Sequence, residues 1–219
     1  NVYASPEGIS IDSLKGSTDS NSFSGVLSYP RKKADPRFEG QITLTELDLG
    51  WLADAVYGPI TEPLTGQLSR IGILAGAGLP VDVDLQLAAD EFHLGALGDV
   101  KRFNGKLRSN RGKVELLDAS GQIADGNFTG RAELGNIDGN AFLRTQMRVT
   151  GASLATTFWR YNGKPVASAL SNLSFALDTT GKSAVDLLES ATGSGTLSLQ
   201  DLTVVGLDAG SLAPVLKIA

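Results

Sequence analysis

From Val81 to Leu134 the chain alternates apolar and polar residues in short runs, and no other feature restricts its possible folds as much. Val81, Val83, Leu85 and Leu87 fall on one side of an extended backbone and Asp82, Asp84 and Gln86 on the other, because successive strand side chains point to opposite faces. Phe103, Gly105 and Leu107 stand in the same relation to Arg102, Asn104 and Lys106, as do Phe128, Gly130, Ala132 and Leu134 to Thr129, Arg131 and Glu133. Turn residues separate the runs: Asn110-Arg111-Gly112, then Asp125-Gly126-Asn127, whose Asp-Gly pair suits the positive φ of a tight hairpin. The pattern predicts an antiparallel meander of about five short strands with one apolar and one polar face.

The flanking sequence extends the pattern. Strands are expected near Ile9-Ser10-Ile11 and from Phe23 to Tyr29, separated by a polar link from Gly16 to Asn21. Another is expected where Phe38, Gly40, Ile42 and Leu44 alternate with Glu39, Gln41, Thr43 and Thr45; before it, prolines bracketing a charged run from Pro30 to Pro36 mark a loop. Asp48 is placed to cap a short helix over 49–56, ended by Gly58-Pro59. Residues 66–74 read as a weak strand and 75–80 as a glycine-rich connection. Beyond Asp138-Gly139-Asn140, a strand from Ala141 to Thr150 turns Leu143, Met147 and Val149 inward. Later strands carry Leu173, Phe175 and Leu177, then Gly195, Leu197 and Leu199; short helices are expected at 153–161, stopped by Asn162-Gly163, at 183–191 and at 210–217.

Shifted by 105 residues, the sequence overlays on itself in residue class. Ile9 falls on Val114, Ile11 on Leu116, Gly16 on Gly121, Phe23 on Phe128 and Gly25 on Gly130, followed by Ile42 on Met147, Leu44 on Val149, Leu49 on Leu154 and Gly58 on Gly163. Trp51 and Trp159 lie 108 apart and break the pattern. Two related β repeats, 1–105 and 106–219, are therefore expected to stack into one continuous apolar face.

Composition removes several function classes. The 219 residues, 42% hydrophobic and 20% charged, suffice to bury a sizeable core, and 26 glycines with few aromatics favour a mainly β fold. The net charge of −5, with basic and acidic residues interleaved, gives no footprint for nucleic acid. The absence of cysteine excludes disulfides, thiolate catalysis and cysteine metal sites. No apolar run is long enough to cross a membrane as a helix. A start within an expected strand and an end without a capping signal suggest a longer protein, with any leader or anchor outside this sequence.

An apolar face of this size must be covered, since each large side chain kept from water is worth roughly 1.5–3 kcal/mol. A second sheet would give a closed sandwich. A long, strongly curved antiparallel sheet, an open β-groove or half-barrel plugged by a few short helices, would instead leave a trough for a guest with apolar tails. Inward glycines suited to bending (Gly25, Gly40, Gly105, Gly130, Gly195), the repeat and an expected unpaired edge favour the groove. Its lining would be Phe38, Ile42, Leu44, Val83, Leu85, Leu87, Phe103, Leu107, Val114, Leu116, Phe128, Leu143, Met147, Val149, Leu173, Phe175, Leu197 and Leu199.

Leu116, Gly121, Gly126, Phe128, Gly130 and Leu134, followed by Leu187-Leu188, Gly193-Ser194-Gly195, Thr196-Leu197-Ser198-Leu199, Asp201, Gly206-Leu207-Asp208 and Leu212, resemble the AsmA-like proteins of Gram-negative bacteria. The resemblance covers most of 81–219 and, through the repeat, 7–60. It implies a periplasmic β-groove protein anchored in the inner membrane, related to bridge-like lipid transfer proteins and serving phospholipid movement and outer-membrane integrity. The family's N-terminal membrane helix has no counterpart in this sequence. The expected function is a non-enzymatic, lipid-handling domain that needs no cofactor. Its partners would be phospholipid or another acyl-chain lipid, a membrane reached through the missing anchor, and other envelope proteins. The alternative is a closed β-sandwich interaction module of a cell-envelope or surface protein.

Catalytic and metal readings find little to build on. His93 is the only histidine, and no cysteine can join it in a triad or zinc site. Asp82 with Asp84 and Asp90 with Glu91 could suggest glycoside hydrolysis or calcium, but they fall on the solvent side of a strand and at its end. Lys101, Arg102, Lys106, Arg108, Arg111 and Lys113 form the densest basic cluster, either a solvated strand face balanced by Glu115 and Asp118 or a surface for lipid head groups or an acidic partner. Gly72 to Gly78 lacks the Lys-Ser/Thr tail of a phosphate loop. No metal site or catalytic residue is assigned.

Overall fold

The computed structural model describes residues 1–18, 21–62, 65–74, 79, 81–110, 112–157, 160–161, 164–165 and 167–204. In chain order its elements are β1 (Val2–Ser5), β2 (Gly8–Ser17), β3 (Ser22–Pro30), β4 (Phe38–Asp48), α1 (Leu49–Tyr57), β5 (Val83–His93) and a 3-10 turn (Gly95–Leu97). There follow β6 (Asp99–Asn110), β7 (Lys113–Ile123), β8 (Gly126–Ile137), β9 (Asn140–Ser153), α2 (Leu154–Thr157), β10 (Arg160–Tyr161), β11 (Lys164–Pro165), β12 (Ala167–Gly181), α3 (Ala184–Glu189) and β13 (Thr192–Val204). The protein is mainly β: eleven strands form one sheet in the order β1-β2-β3-β4-β5-β6-β7-β8-β9-β12-β13, and β10 and β11 form a separate hairpin. The large sheet is not closed into a barrel, because β1 and β13 are its two edges.

The alternating runs become strands because each can place its apolar residues on one face and its polar residues on the other. The segment read as about five strands contains four, β5 to β8, and Val81 lies just outside, exposed. The N-terminal region holds three strands rather than two, and Gly16 belongs to β2 instead of a link. The hairpin joining β7 and β8 turns on Ala124 and Asp125, both at positive φ, one residue before the expected pair. Asp138 and Gly139 make the β8–β9 turn as expected.

The sheet is mixed, not purely antiparallel: β4 and β5 run parallel, with Phe38 opposite Val83 and Leu44 opposite Ala89. Parallel neighbours require a crossover, and residues 49–82 provide it. Asp48 starts α1 by accepting the Trp51 N–H at 2.9 Å. Leu52, Val56 and Tyr57 of α1 then pack into one core with residues of β4 to β9. Tyr57 donates to the Phe142 carbonyl at 2.5 Å, so the end of α1 reaches β9; burial pushes its phenol pKa up. Residues 66–74 do not form the expected strand and contribute only the isolated Thr61–Leu68 bridge. They bond instead to neighbouring elements: the Ser69 carbonyl accepts from Val185 N–H, Ile73 N–H donates to Lys182 O, and the Leu74 carbonyl accepts from Asn136 Nδ2. The partly buried Ile60, Ile73 and Leu79 pack on the same core, so this connection is a lid over the sheet rather than part of it.

The expected helix at 49–56 is α1 and that at 183–191 is the shorter α3; of the one expected at 153–161 only Leu154–Thr157 are helical, as α2, because Ser153 still pairs in β9 and Arg160–Tyr161 pair with β11 as β10. The expected helix at 210–217, Trp159, Arg111 and the Asn162-Gly163 stop lie outside the described residues. A boundary at 105/106 would cut through β6. Two inward glycines make room for rings: a Cβ on Gly105 would meet Phe103 Cζ at 3.0 Å and one on Gly130 would meet Phe128 Cζ at 3.2 Å. Each phenyl lies along its own strand over the glycine two residues later.

Two strand pairs share an irregularity. The β2–β3 register shifts between Ile11 and Leu14, and the β7–β8 register shifts between Leu116 and Ala119, the positions 105 residues further on.

Candidate functional site

Ladder partners place every residue of the expected lining on one face of the sheet. One row can be followed through all eleven strands: Val2, Ile11, Leu27, Gly40, Leu85, Leu107, Leu116, Ala132, Thr145, Leu177 and Gly193. The face is continuous, but its surroundings are not uniform.

At the centre the lining is closed off by the chain itself. Val83, Leu85, Leu87, Phe103, Leu107, Val114, Leu116 and Phe128 are all buried in the core shared with α1, and Phe103 has no exposed surface at all. In this structure these eight are core side chains, in one cluster with Leu52, Val56 and Tyr57 of α1 and with Ile60, Ile73 and Leu79 of the crossover packed against it. Phe38, Ile42, Leu44, Leu143, Met147 and Val149 are half-buried at the borders of that core.

Towards the β13 edge the face emerges. Leu173 and Phe175 on β12 are half-buried, while Leu197 is 62% and Leu199 39% exposed on β13. Asp201, at φ 55°, forms a bulge that resets the alternation, so that Leu202 and Val204 continue the apolar face and are also exposed. Strict alternation hid those two residues; the only sequence signal is the slip in spacing after Leu199. Towards the other edge Val2 on β1 and Phe23 on β3 are exposed on the same face. Between α1, the lid and α3 lies a small cavity of about 230 Å³ lined by Tyr57, Pro59, Ile60, Ile71, Ile73, Leu74 and Ala184 among others.

The opposite face is polar and carries a ladder of charge. Glu39, Asp84, Arg108, Glu115, Glu133, Arg144 and Asp178 are cross-strand neighbours in one row from β4 to β12. Lys106 and Arg108 reach Asp84 at 2.8 and 3.4 Å, Lys113 reaches Glu115 and Glu133 at 2.9 and 3.1 Å, and Arg144 reaches Asp178 at 2.8 Å. Desolvation acts to raise the Asp84 pKa, but hydrogen bonds and charge from Lys106 and Arg108 outweigh it and hold it below the usual value. The Lys113 pKa is raised by its hydrogen bonds to Glu115 and Glu133. Much of the basic cluster seen in the sequence is thus matched to carboxylates. On the same face, over β7 to β9, β12 and β13, are two adjoining depressions: one of about 620 Å³ lined in part by the ladder residues Glu115, Glu133, Arg144 and Asp178, and one of about 780 Å³ beside it.

His93 lies at the end of β5, with Nδ1 2.8 Å from Asp99 and Nε2 3.9 Å from Glu46. The hydrogen bond to Asp99 raises its pKa, and the charges of Asp99, Glu46 and Glu91 add to that against partial desolvation. Among the described residues no group of three or more His, Cys, Asp or Glu could hold a metal ion, and no helix is long and apolar enough to cross a membrane. No protein-family model matches the chain, and no curated protein or solved structure matches it.

Proposed function

We propose that this chain is a non-enzymatic lipid-handling domain that shields the acyl chains of phospholipid against its apolar face. The observation that carries the reading is the uncovered strip on β12 and β13, where Leu197, Leu199, Leu202 and Val204 stay exposed although the same face is buried a few strands away. Apolar surface of this kind on a sheet edge calls for an apolar occupant. Extended strands lying side by side provide a smooth surface along which an acyl chain can lie, with its head group in water.

The finer architecture belongs to the same reading. The register shifts 105 residues apart and the matching order β2-β3-β4-α1 and β7-β8-β9-α2 support a duplicated unit. Bending of the sheet around its apolar face would turn the exposed strip into a half-open groove. As the AsmA-like resemblance implies, the setting would be the periplasm, with a tether to the inner membrane and a role in lipid supply to the outer membrane.

Native mass spectrometry and lipid extraction of the purified chain test the proposal. Phospholipid should co-purify and exchange with labelled lipid, and Leu197→Asp with Leu199→Asp should abolish loading without unfolding the protein. A chain free of lipid that takes up none from vesicles sinks the proposal, as does unchanged loading of the double variant.

A further inference from the structure

On the polar face, opposite the apolar strip, we infer a binding site for a phosphoryl group, formed by Arg131 and Arg148. The larger depression, about 780 Å³, is of a size that holds a small ligand. Ser120, Thr129, Arg148, Ser174 and Thr196 form one cross-strand row along it, each from a different strand. Arg131 lies on β8 two residues after Thr129, hence diagonal to Arg148, and such neighbours sit about 7–8 Å apart. Two guanidinium groups at that separation can close on one tetrahedral anion, each offering a fork of N–H donors, while the flanking hydroxyls donate to its remaining oxygens.

What separates these two arginines from the paired cations of the ladder is the lack of a partner. Glu39, Asp84, Glu115, Glu133 and Asp178 are taken by Lys33, Lys106, Arg108, Lys113 and Arg144. Neither the Arg131 nor the Arg148 guanidinium makes a hydrogen bond or ion pair with any described residue, and both line the depression. Asp118, at a bulge with φ 51°, is the only carboxylate among the lining residues. The depression is therefore locally cationic in a chain whose net charge is −5. Its lining mixes apolar residues such as Leu117 and Ala176 with hydroxyl and amide groups, Gln146 and Ser194 included, and the latter suit a phosphate carried on a polyol, either as a soluble sugar or glycerol phosphate or as an anionic lipid head group.

Titration of the whole chain with glycerol 1-phosphate, followed by amide NMR shifts, tests the site. Saturable shifts at Thr129, Arg131, Arg148 and Ser174 are expected. Arg131→Gln with Arg148→Gln should weaken binding by roughly tenfold or more, while Arg144→Gln, which breaks a pair already satisfied, should change it by less than about twofold. Both arginines are exposed, so the double variant keeps its fold. A parallel arm uses phosphatidylcholine vesicles with and without phosphatidylglycerol. Binding of glycerol phosphate alone identifies a soluble ligand; binding only to phosphatidylglycerol vesicles, lost in the double variant, identifies the head group. No saturable response in either arm, undiminished binding by the double variant, or equal loss in Arg144→Gln overturns the inference. The Leu197→Asp, Leu199→Asp protein should bind glycerol phosphate normally, which separates failure here from failure of the lipid-shielding proposal.

Discussion

After β4 and after β9 the chain faces the same problem and solves it in two ways. Both strands run directly into a short helix, α1 at Leu49 and α2 at Leu154. Past α1 the chain crosses the apolar face and re-enters as β5, parallel to β4, leaving its own connection as a lid. Past α2 it passes through the β10–β11 hairpin and returns as β12, antiparallel to β9. One strand later, on β13, apolar side chains that would be core in the first region are exposed. Similar strand patterns thus give a closed core or an open surface according to what the connection does, and strand composition does not decide between them.

Charge introduced on the two regions should separate them most sharply. Leu85→Asp places a carboxylate among the buried apolar side chains of the core, a cost of several kcal/mol, and should leave the chain unfolded by circular dichroism. Leu199→Asp should fold with a thermal midpoint close to that of the parent. Truncation gives the next contrast: Phe103→Ala should lower unfolding free energy by about 3–5 kcal/mol in denaturant titration, and Leu197→Ala by no more than about 0.5. Similar losses at both positions would mean that the strip is covered after all.

Removing the cap that launches the crossover, by Asp48→Ala, should cost about 1 kcal/mol, because Trp51 N–H loses its acceptor. The smallest effect concerns His93. Its pKa is raised in the folded state by Asp99, so its contribution is fully present below the unfolded value of about 6.5 and is lost as pH rises through the folded value. Melting curves should show a shallow fall in stability across that window, flattened in His93→Gln; with roughly a third of the side chain exposed, the effect should be slight.

The strands were legible in the sequence because alternation is a local property: Val83, Leu85 and Leu87 or Phe128, Gly130 and Ala132 declare their face without reference to the rest of the chain. The eighteen expected lining residues share a face for the same reason. Which of them are covered was not legible, since that depends on the path of residues 58–74, whose Ile60, Ile71, Ile73 and Leu74 show neither period clearly. The parallel β4–β5 pair was hidden too, because alternation is the same for either strand direction. Leu202 and Val204 were missed because a single bulge at Asp201 shifts the phase. The two unpaired arginines could not be told from their paired neighbours, since partnership is set by cross-strand register, not by spacing along the chain.

The irregularity repeated in β2–β3 and β7–β8 bears on how the molecule assembles. A nascent chain holds two hairpins with the same slip and similar strand lengths, so each presents an edge the other's neighbour could accept. Wrong assembly would be penalised at β5, which must meet β4 in one orientation and β6 in the other while the tether between β4 and β5 spans the sheet. The parallel β4–β5 pair thus gives the two hairpins different places in the sheet, one on each side of the only parallel junction among the described strands.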